Sequence, residues 1–250
     1  MRDRRLIGAF SLFFLLLAAP LAHADLADID LRTDFDVLLD GPSYSYAGSS
    51  YPASALGSWG DFNGDGVDDV VIGAQEAMSN DRSRSGSTFV VFGGMSGVVD
   101  LEALGERGLR IDGAADHDWS GGAVAGAGDV NGDGYDDVVI GAPGASNNDR
   151  HWSGSTYVVF GGQGGSVDLA NLGDRGFRID GATALDRSGL SVAVAGDVNG
   201  DGYDDVVIGA PGAGNNGRQS SGSSYVVFGG QGGSVDLANL GDRGFRIDGA

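Results

Sequence analysis

The 250-residue chain has no cysteine and no lysine, and only three glutamates beside 32 aspartates. Without cysteine there is no disulfide framework, no thiolate zinc site and no cysteine nucleophile. Its cations are arginines alone, 15 against 35 acids, and the net charge of −20 argues against a nucleic-acid partner, because phosphate binding needs a basic face. Apolar runs are missing beyond the first 20 residues, so no later segment could span a membrane as a helix. What is abundant is glycine, with 47 residues. Each disfavours a helix interior by about 1 kcal/mol against alanine. They follow no G-X-Y period, which excludes collagen. At 41% hydrophobic residues the chain is not simply disordered. The preference for Asp over Glu points to turns and metal loops rather than helices.

The N-terminus reads as a secretory signal. Arg2, Arg4 and Arg5 precede an apolar run from Leu6 to Ala19, and Ala22-His23-Ala24 is a cleavage pattern. Cleavage before Asp25 is expected, with export to the periplasm, cell surface or medium. The Arg4-Arg5 pair leaves both general secretion and twin-arginine export open. Loss of residues 1–24 would leave 12 Arg against 34 acids, a charge of −22.

A 68-residue repeat organises the rest. The string Gly-Asp-x-Asn-Gly-Asp-Gly-x-Asp-Asp places its first Asp at 61, 129 and 197. Ser-Gly-Ser at 85, 153 and 221 keeps the spacing, and residues 163–182 and 231–250 are identical. Repeats run over about 29–99, 100–167 and 168–235, with a fourth opening at 236–250; the first is degenerate. In the third, β-branched and glycine-punctuated segments predict strands A (189–196), B (205–210), C (222–229) and D (244–249). Asn171-Leu172 and its copies predict one helical turn at most. Four strands per repeat, the innermost built of small residues, predict an all-β fold: a β-propeller of four-stranded blades. A parallel β-helix is the weaker alternative, since its repeats are shorter.

The Asp loop has its own chemistry. Asp197, Asn199, Asp201 and Asp205 stand at positions 1, 3, 5 and 9, the Tyr203 carbonyl at 7, and Gly202 at 6 permits the sharp turn. This resembles an EF-hand ligand set, but Ile208 replaces the bidentate glutamate and no helices flank it. With Asp204 the loop has four carboxylates within nine residues, which repel unless a cation compensates. Oxygen donors without His or Cys select a hard cation, and a flexible loop favours Ca²⁺. The bland reading is a set of Asx and Asp-Gly turns.

With these loops and with Gly141-Ala142-Pro143 and Gly209-Ala210-Pro211, the chain resembles the FG-GAP repeat family, the blades of integrin alpha propellers and of many bacterial secreted proteins. Gly73-Ala74-Gln75 departs from the pattern, and Ser120-Gly121, Ser188-Gly189 and Pro52-Ala53 stand where Phe-Gly is usual. The resemblance covers about residues 36–250 and implies a propeller with Ca²⁺ in the A–B hairpins. By motif position it carries ligands onto Asp61, Asn63, Asp65, the Val67 carbonyl and Asp69. It carries them likewise onto Asp129, Asn131, Asp133, the Tyr135 carbonyl and Asp137, alongside the third set, which gives about three Ca²⁺. Asp68, Asp136 and Asp204 are expected to point away, adding charge or capping the strand.

No catalytic constellation is expected, because His117 and His151 lack counterparts in the third repeat and no nucleophile motif accompanies them. Trp59, Trp119 and Trp152 read as packing residues before carbohydrate platforms. Residues 115–182 and 183–250 differ at 12 positions, eight of them in B–C loops and D–A turns. Asp116, His117, Trp119, His151 and Trp152 are therefore expected to border a binding surface on the face opposite the Asp loops. The expected function is a secreted, non-catalytic adhesion or ligand-binding module for a protein or glycan. The alternative is a propeller appendage of a phospholipase D-like hydrolase. A lone D-type strand (Val37 to Gly41) followed by three A–B–C–D sets makes an incomplete ring. Its open edges predict a truncated reading frame or self-association.

Overall fold

The computed structural model describes residues 37–40, 55–57 and 60–250. The expected signal peptide and its arginines, Pro52-Ala53 and Trp59 lie outside the described residues. Among the described residues there is no α-helix. The strands are β1 (Val37–Asp40), β2 (Ala55–Gly57), β3 (Val70–Ala74), β4 (Ser87–Val91), β5 (Gly97–Asp100) and β6 (Gly108–Asp112). They continue with β7 (Ala123–Gly128), β8 (Asp137–Ala142), β9 (Ser155–Val159), β10 (Val167–Asp168) and β11 (Gly176–Asp180). The last are β12 (Ser191–Gly196), β13 (Asp205–Ala210), β14 (Ser223–Val227), β15 (Val235–Asp236) and β16 (Gly244–Asp248).

Three antiparallel sheets form in order, β2-β3-β4-β6, β7-β8-β9-β11 and β12-β13-β14-β16. Each is one propeller blade running from inner to outer strand, and β2, β7 and β12 lie side by side. The four strands expected of the third repeat are all present, trimmed by up to two residues at an end. Between strands C and D the chain makes one addition that the periodicity does not show. A short strand reaches back to the outer strand of the preceding blade and pairs with it in parallel. Val167 and Asp168 align with Ile111 and Asp112, and Val235 and Asp236 with Ile179 and Asp180. β5 pairs with β1 in the same way, so β1 stands where an outer strand would stand, as its sequence suggests. Asp168 then caps a 3-10 turn, Leu169–Asn171, by accepting the Ala170 N–H at 3.0 Å.

The cores lie between blades. Val71, Val90, Leu109 and Ile111 of the first pack on Val138, Ile140, Tyr157 and Val159 of the second. Val139, Val158, Phe177 and Ile179 of the second meet Val206, Ile208, Tyr225 and Val227 of the third. A middle strand flanked by two blades, such as β8, thus buries both faces, which is why it reads as a run of apolar residues rather than an alternating one. A backbone clasp accompanies each seam. Ser188 donates its N–H to the Ser153 carbonyl at 2.8 Å, and Gly189 to that of Gly209 at 3.1 Å. Gly141 admits this turn because any Cβ there would overlap the Gly189 carbonyl oxygen. Among the described residues nothing covers the third blade's far face in this way: Phe245 and Ile247 are 45% and 53% exposed, against 5% and 0% for Phe177 and Ile179.

Candidate functional site

The Asp loops lie in the A–B hairpins, and each is shaped by its own carboxylates. Asp61 Oδ1 accepts the N–H groups of Gly64 (2.7 Å) and Asp65 (2.9 Å), and its Oδ2 accepts that of Gly66 (2.8 Å). Asn63 Oδ1 accepts the Asp65 N–H and Asp65 Oδ1 the Val67 N–H. The Asp129 and Asp197 loops repeat the pattern. Such nested Asx turns need left-handed glycines, and Gly64, Gly132 and Gly200 supply φ of 78°, 79° and 79°.

Position 9 is the buried anchor. Asp69 Oδ2 accepts the Phe62 N–H at 2.9 Å, and its Oδ1 accepts the Gly93 N–H at 2.9 Å, which ties the hairpin to the C–D link. Asp137 does the same with Val130 and Gly161, and Asp205 with Val198 and Gly229. Burial pushes the Asp137 carboxyl up to about 7 against the lowering effect of those amides, and it raises Asp69 as well.

The expected ligands therefore share each loop, but not one focus. Among the described residues no three acidic or imidazole groups converge as a metal cluster. Position 9 is spent on backbone amides, and Asn63 turns its amide nitrogen to Asp65 Oδ2 at 2.9 Å. The donor chemistry nonetheless fits a hard cation. Each loop offers three carboxylates and one amide with no nitrogen or sulfur ligand, and the residues at positions 3 and 5 lie at the surface.

Asp136 and Asp204 point away from their own loops, and each has a definite partner. Asp136 Oδ2 accepts the Asp61 N–H at 2.8 Å, and Asp204 Oδ2 accepts that of Asp129 at 3.0 Å. They brace the neighbouring blade's loop rather than cap their own strand. The Asp-Asp doublet was visible in the sequence, but the register that brings residues 75 apart together was not.

The opposite end of each sheet carries the B–C loops and D–A turns. Asp116 Oδ1 accepts the Ser83 N–H, and His117 donates its N–H to the Ser83 carbonyl. The Trp119 and Trp152 rings lie 6.1 Å apart, and His151 stacks on Trp152 at 5.0 Å. Arg187, which stands 68 residues after Trp119 at the equivalent turn position, sits 5.5 Å over the Trp152 ring. Thus Trp119, His151, Trp152 and Arg187 form one half-exposed cluster, while Asp116 and His117 sit toward the first blade. His117 and Trp119 have φ of 62° and 56°, and Leu185 and Arg187 repeat them with 69° and 53°. The left-handed turn belongs to the fold, then, and only its side chains differ between blades.

Three blades with clasped cores and an oxygen-lined loop in every A–B hairpin define a repeat-built β-propeller. The FG-GAP repeat family matches residues 56–91, 120–159 and 188–227, one match on each blade. The chain is an FG-GAP repeat protein with three copies of the repeat. It is 32% identical over 83% of its length to "Integrin alpha pat-2" of Caenorhabditis elegans, 16% of which is covered. It is 32% identical over 75% of its length to "Phosphatidylinositol-glycan-specific phospholipase D" of Bos taurus, 23% covered. To "Integrin alpha-PS2" of Drosophila melanogaster the identity is 33% over 68% of the chain, 11% covered. The chain spans less than a quarter of each of these relatives. Among the described residues no helix is long and apolar enough to cross a membrane.

Proposed function

We infer that the chain is a secreted, calcium-stabilised propeller module that binds a protein or glycan ligand and brings no catalytic group of its own. The supporting observation is the triplication of one all-oxygen loop, at identical register, with each later loop braced on the one before. Asp61, Asn63, Asp65 and Asp69 would hold the first ion, and their counterparts at 129–137 and 197–205 the other two, together with the position-7 carbonyls. A bound cation would neutralise clustered carboxylates and lock the hairpin; the ligand-binding work falls to the opposite face. Export rests on residues 1–24 and is read from the N-terminus of the exported protein, expected at Asp25.

Three aspartates and one asparagine without a bidentate glutamate suggest an affinity on the order of 10⁻⁴–10⁻³ M. At ten times that concentration each site adds about 1.4 kcal/mol of stability by mass action. Calorimetry with millimolar Ca²⁺ and with chelator should show a higher melting temperature with the ion; an unchanged one would sink the metal assignment. The ligand is expected across Trp119, His151, Trp152 and Arg187, bordered by Asp116 and His117. In glycan-array and protein-binding screens, Trp119→Ala and Trp152→Ala should weaken any binding found for the parent without changing Ca²⁺ affinity. Binding lost instead with Asp133→Ala in a folded protein would move the site to the other face. The match to phosphatidylinositol-glycan-specific phospholipase D favours a second reading, a propeller appendage beside a hydrolase domain supplied elsewhere.

A further inference from the structure

Asparagine followed by glycine is the dipeptide at which a chain most readily rewrites its own covalent structure. The glycine nitrogen can attack the asparagine side-chain carbonyl, and no Cβ on the glycine obstructs the approach. The chain holds four such pairs: Asn63-Gly64, Asn131-Gly132, Asn199-Gly200 and Asn216-Gly217. All four glycines are exposed, so access to water does not separate them.

Their hydrogen bonds do. Three pairs lie in the Asp loops, where the glycine N–H donates at 2.7 Å to Oδ1 of Asp61, Asp129 or Asp197. An amide proton held by a carboxylate is kept on its nitrogen and aimed at the acceptor. The asparagine is tied as well, its Nδ2 donating to the aspartate two residues on at 2.9, 2.8 and 2.8 Å. The fourth pair is the tip of the third blade's B–C loop. Asn215 and Arg218 exchange backbone hydrogen bonds of 3.0 and 2.8 Å, which leaves Asn216 and Gly217 as a two-residue turn with φ of 53° and 77°. The Gly217 N–H has no acceptor among the described residues. Asn216 Nδ2 makes one longer bond, to Asp248 Oδ2 at 3.3 Å.

This openness belongs to the turn and is present in blades that have a neighbour on that side. There the arginine after the turn clasps the next blade's link, Arg82 on Asp168 at 2.6 Å and Arg150 on Asp236 at 2.8 Å. The turn between is Asn80-Asp81 or Asn148-Asp149, with φ of 49° and 61°, and 53° and 59°. All four of these residues are exposed, and the N–H groups of Asp81 and Asp149 are likewise without an acceptor among the described residues. What differs is the second residue: an aspartate side chain shields that nitrogen in two blades, and Gly217 leaves it bare in the third.

We propose that Asn216 is a site of spontaneous modification, where the chain deamidates to aspartate and isoaspartate, and that Asp61, Asp129 and Asp197 protect the asparagines of the three loops from the same reaction. The Gly217 nitrogen gives up its proton and bonds to Asn216 Cγ; the Cγ–Nδ2 bond breaks, and ammonia leaves with that proton. Water then opens the cyclic imide. Attack at Cγ gives aspartate, and attack at the backbone carbonyl gives isoaspartate, in which the chain runs through the side chain. Either product sets a second carboxylate beside Asp248, where an amide had donated. Isoaspartate also lengthens the turn by one backbone atom, so the tip of the B–C loop changes charge and shape as the protein ages.

The test is peptide mapping by mass spectrometry of the full chain, aged in mildly alkaline buffer beside a sample unfolded in guanidinium chloride. Each converted site gains about 1 Da, which fragmentation assigns to a residue. In the folded chain the gain is expected at Asn216 and not at Asn63, Asn131 or Asn199; in denaturant all four should convert. Asn199 serves as the internal control, since cleavage at Arg187 and Arg218 puts it on the same peptide as Asn216. Asn148, in the same turn before an aspartate, should keep its amide in the folded chain. Gly217→Asp, which installs the second blade's turn, should abolish the gain at Asn216 and leave the melting temperature unchanged. An Asn216 that keeps its amide in the folded chain while denaturant converts it overturns the site. Conversion of Asn199 as fast as that of Asn216 in the folded chain overturns the protection by the loop carboxylates.

Discussion

Asp118 and Asp186 show what a single residue contributes to a blade seam. Both are buried on D–A turns, 6% and 4% exposed, at equivalent places 68 residues apart. Burial raises the carboxyl of Asp118 to about 6, although the Ala115 amide and the Arg178 and Arg82 guanidinium groups pull it down. A carboxyl raised in the folded state adds stability that is fully present below its unfolded value, near 3.8, and is lost as pH rises through about 6. Stability should therefore fall by about 2–3 kcal/mol between those limits on this account. Asp118→Asn, neutral at every pH, should lose that part of the slope in urea titrations from pH 4 to 7. A slope unchanged by the substitution would assign it to other groups. Neither Asp118 nor its partner arginines could be singled out from the sequence, since 32 aspartates offer no contrast until the fold buries a few of them.

At the scale of the element, glycine decides where blades can touch. Gly141 in β8 and Gly209 in β13 sit in the same sequence context, Val-Val-Ile-Gly-Ala-Pro. A Cβ on Gly141 would run into the Gly189 backbone carbonyl, but on Gly209 only into the rotatable Ser191 hydroxyl. Gly141→Ala should then cost about 1–3 kcal/mol by overpacking, and Gly209→Ala well under 1. Denaturant unfolding of the pair reads the difference directly, and equal costs would mean that the seam does not depend on this close approach. Strands A to D and the Asp loops were legible because their signals are local: β-branched runs, Gly-Asp-Gly turns and a fixed spacing. The link strands β10 and β15 were not, because two residues carry no periodicity and their pairing is set by another blade. For the same reason the loop aspartates were readable as candidate ligands, whereas Asp136 and Asp204 as braces were not. Arg187 entered only when the turns of two blades met.

At the scale of the molecule, neighbouring blades among the described residues meet through one apolar face, one arginine clasp and one loop-to-loop brace. Stability in such an array is a sum of unit and nearest-neighbour terms. The identical stretches 163–182 and 231–250 make the comparison unusually clean, since unit terms there are equal and only the neighbours differ. The third blade, which has one seam among the described residues where the second has two, should open before it and more often. Hydrogen exchange should register this as faster amide exchange in Ser223–Val227 than in Ser155–Val159, two strands that differ in a single residue. Equal protection of both in dilute solution would mean that the three blades open as one unit. If the gradient holds, the repeated sequence behaves as a zipper with a loose end. The third blade is then the region where proteolysis and unfolding begin.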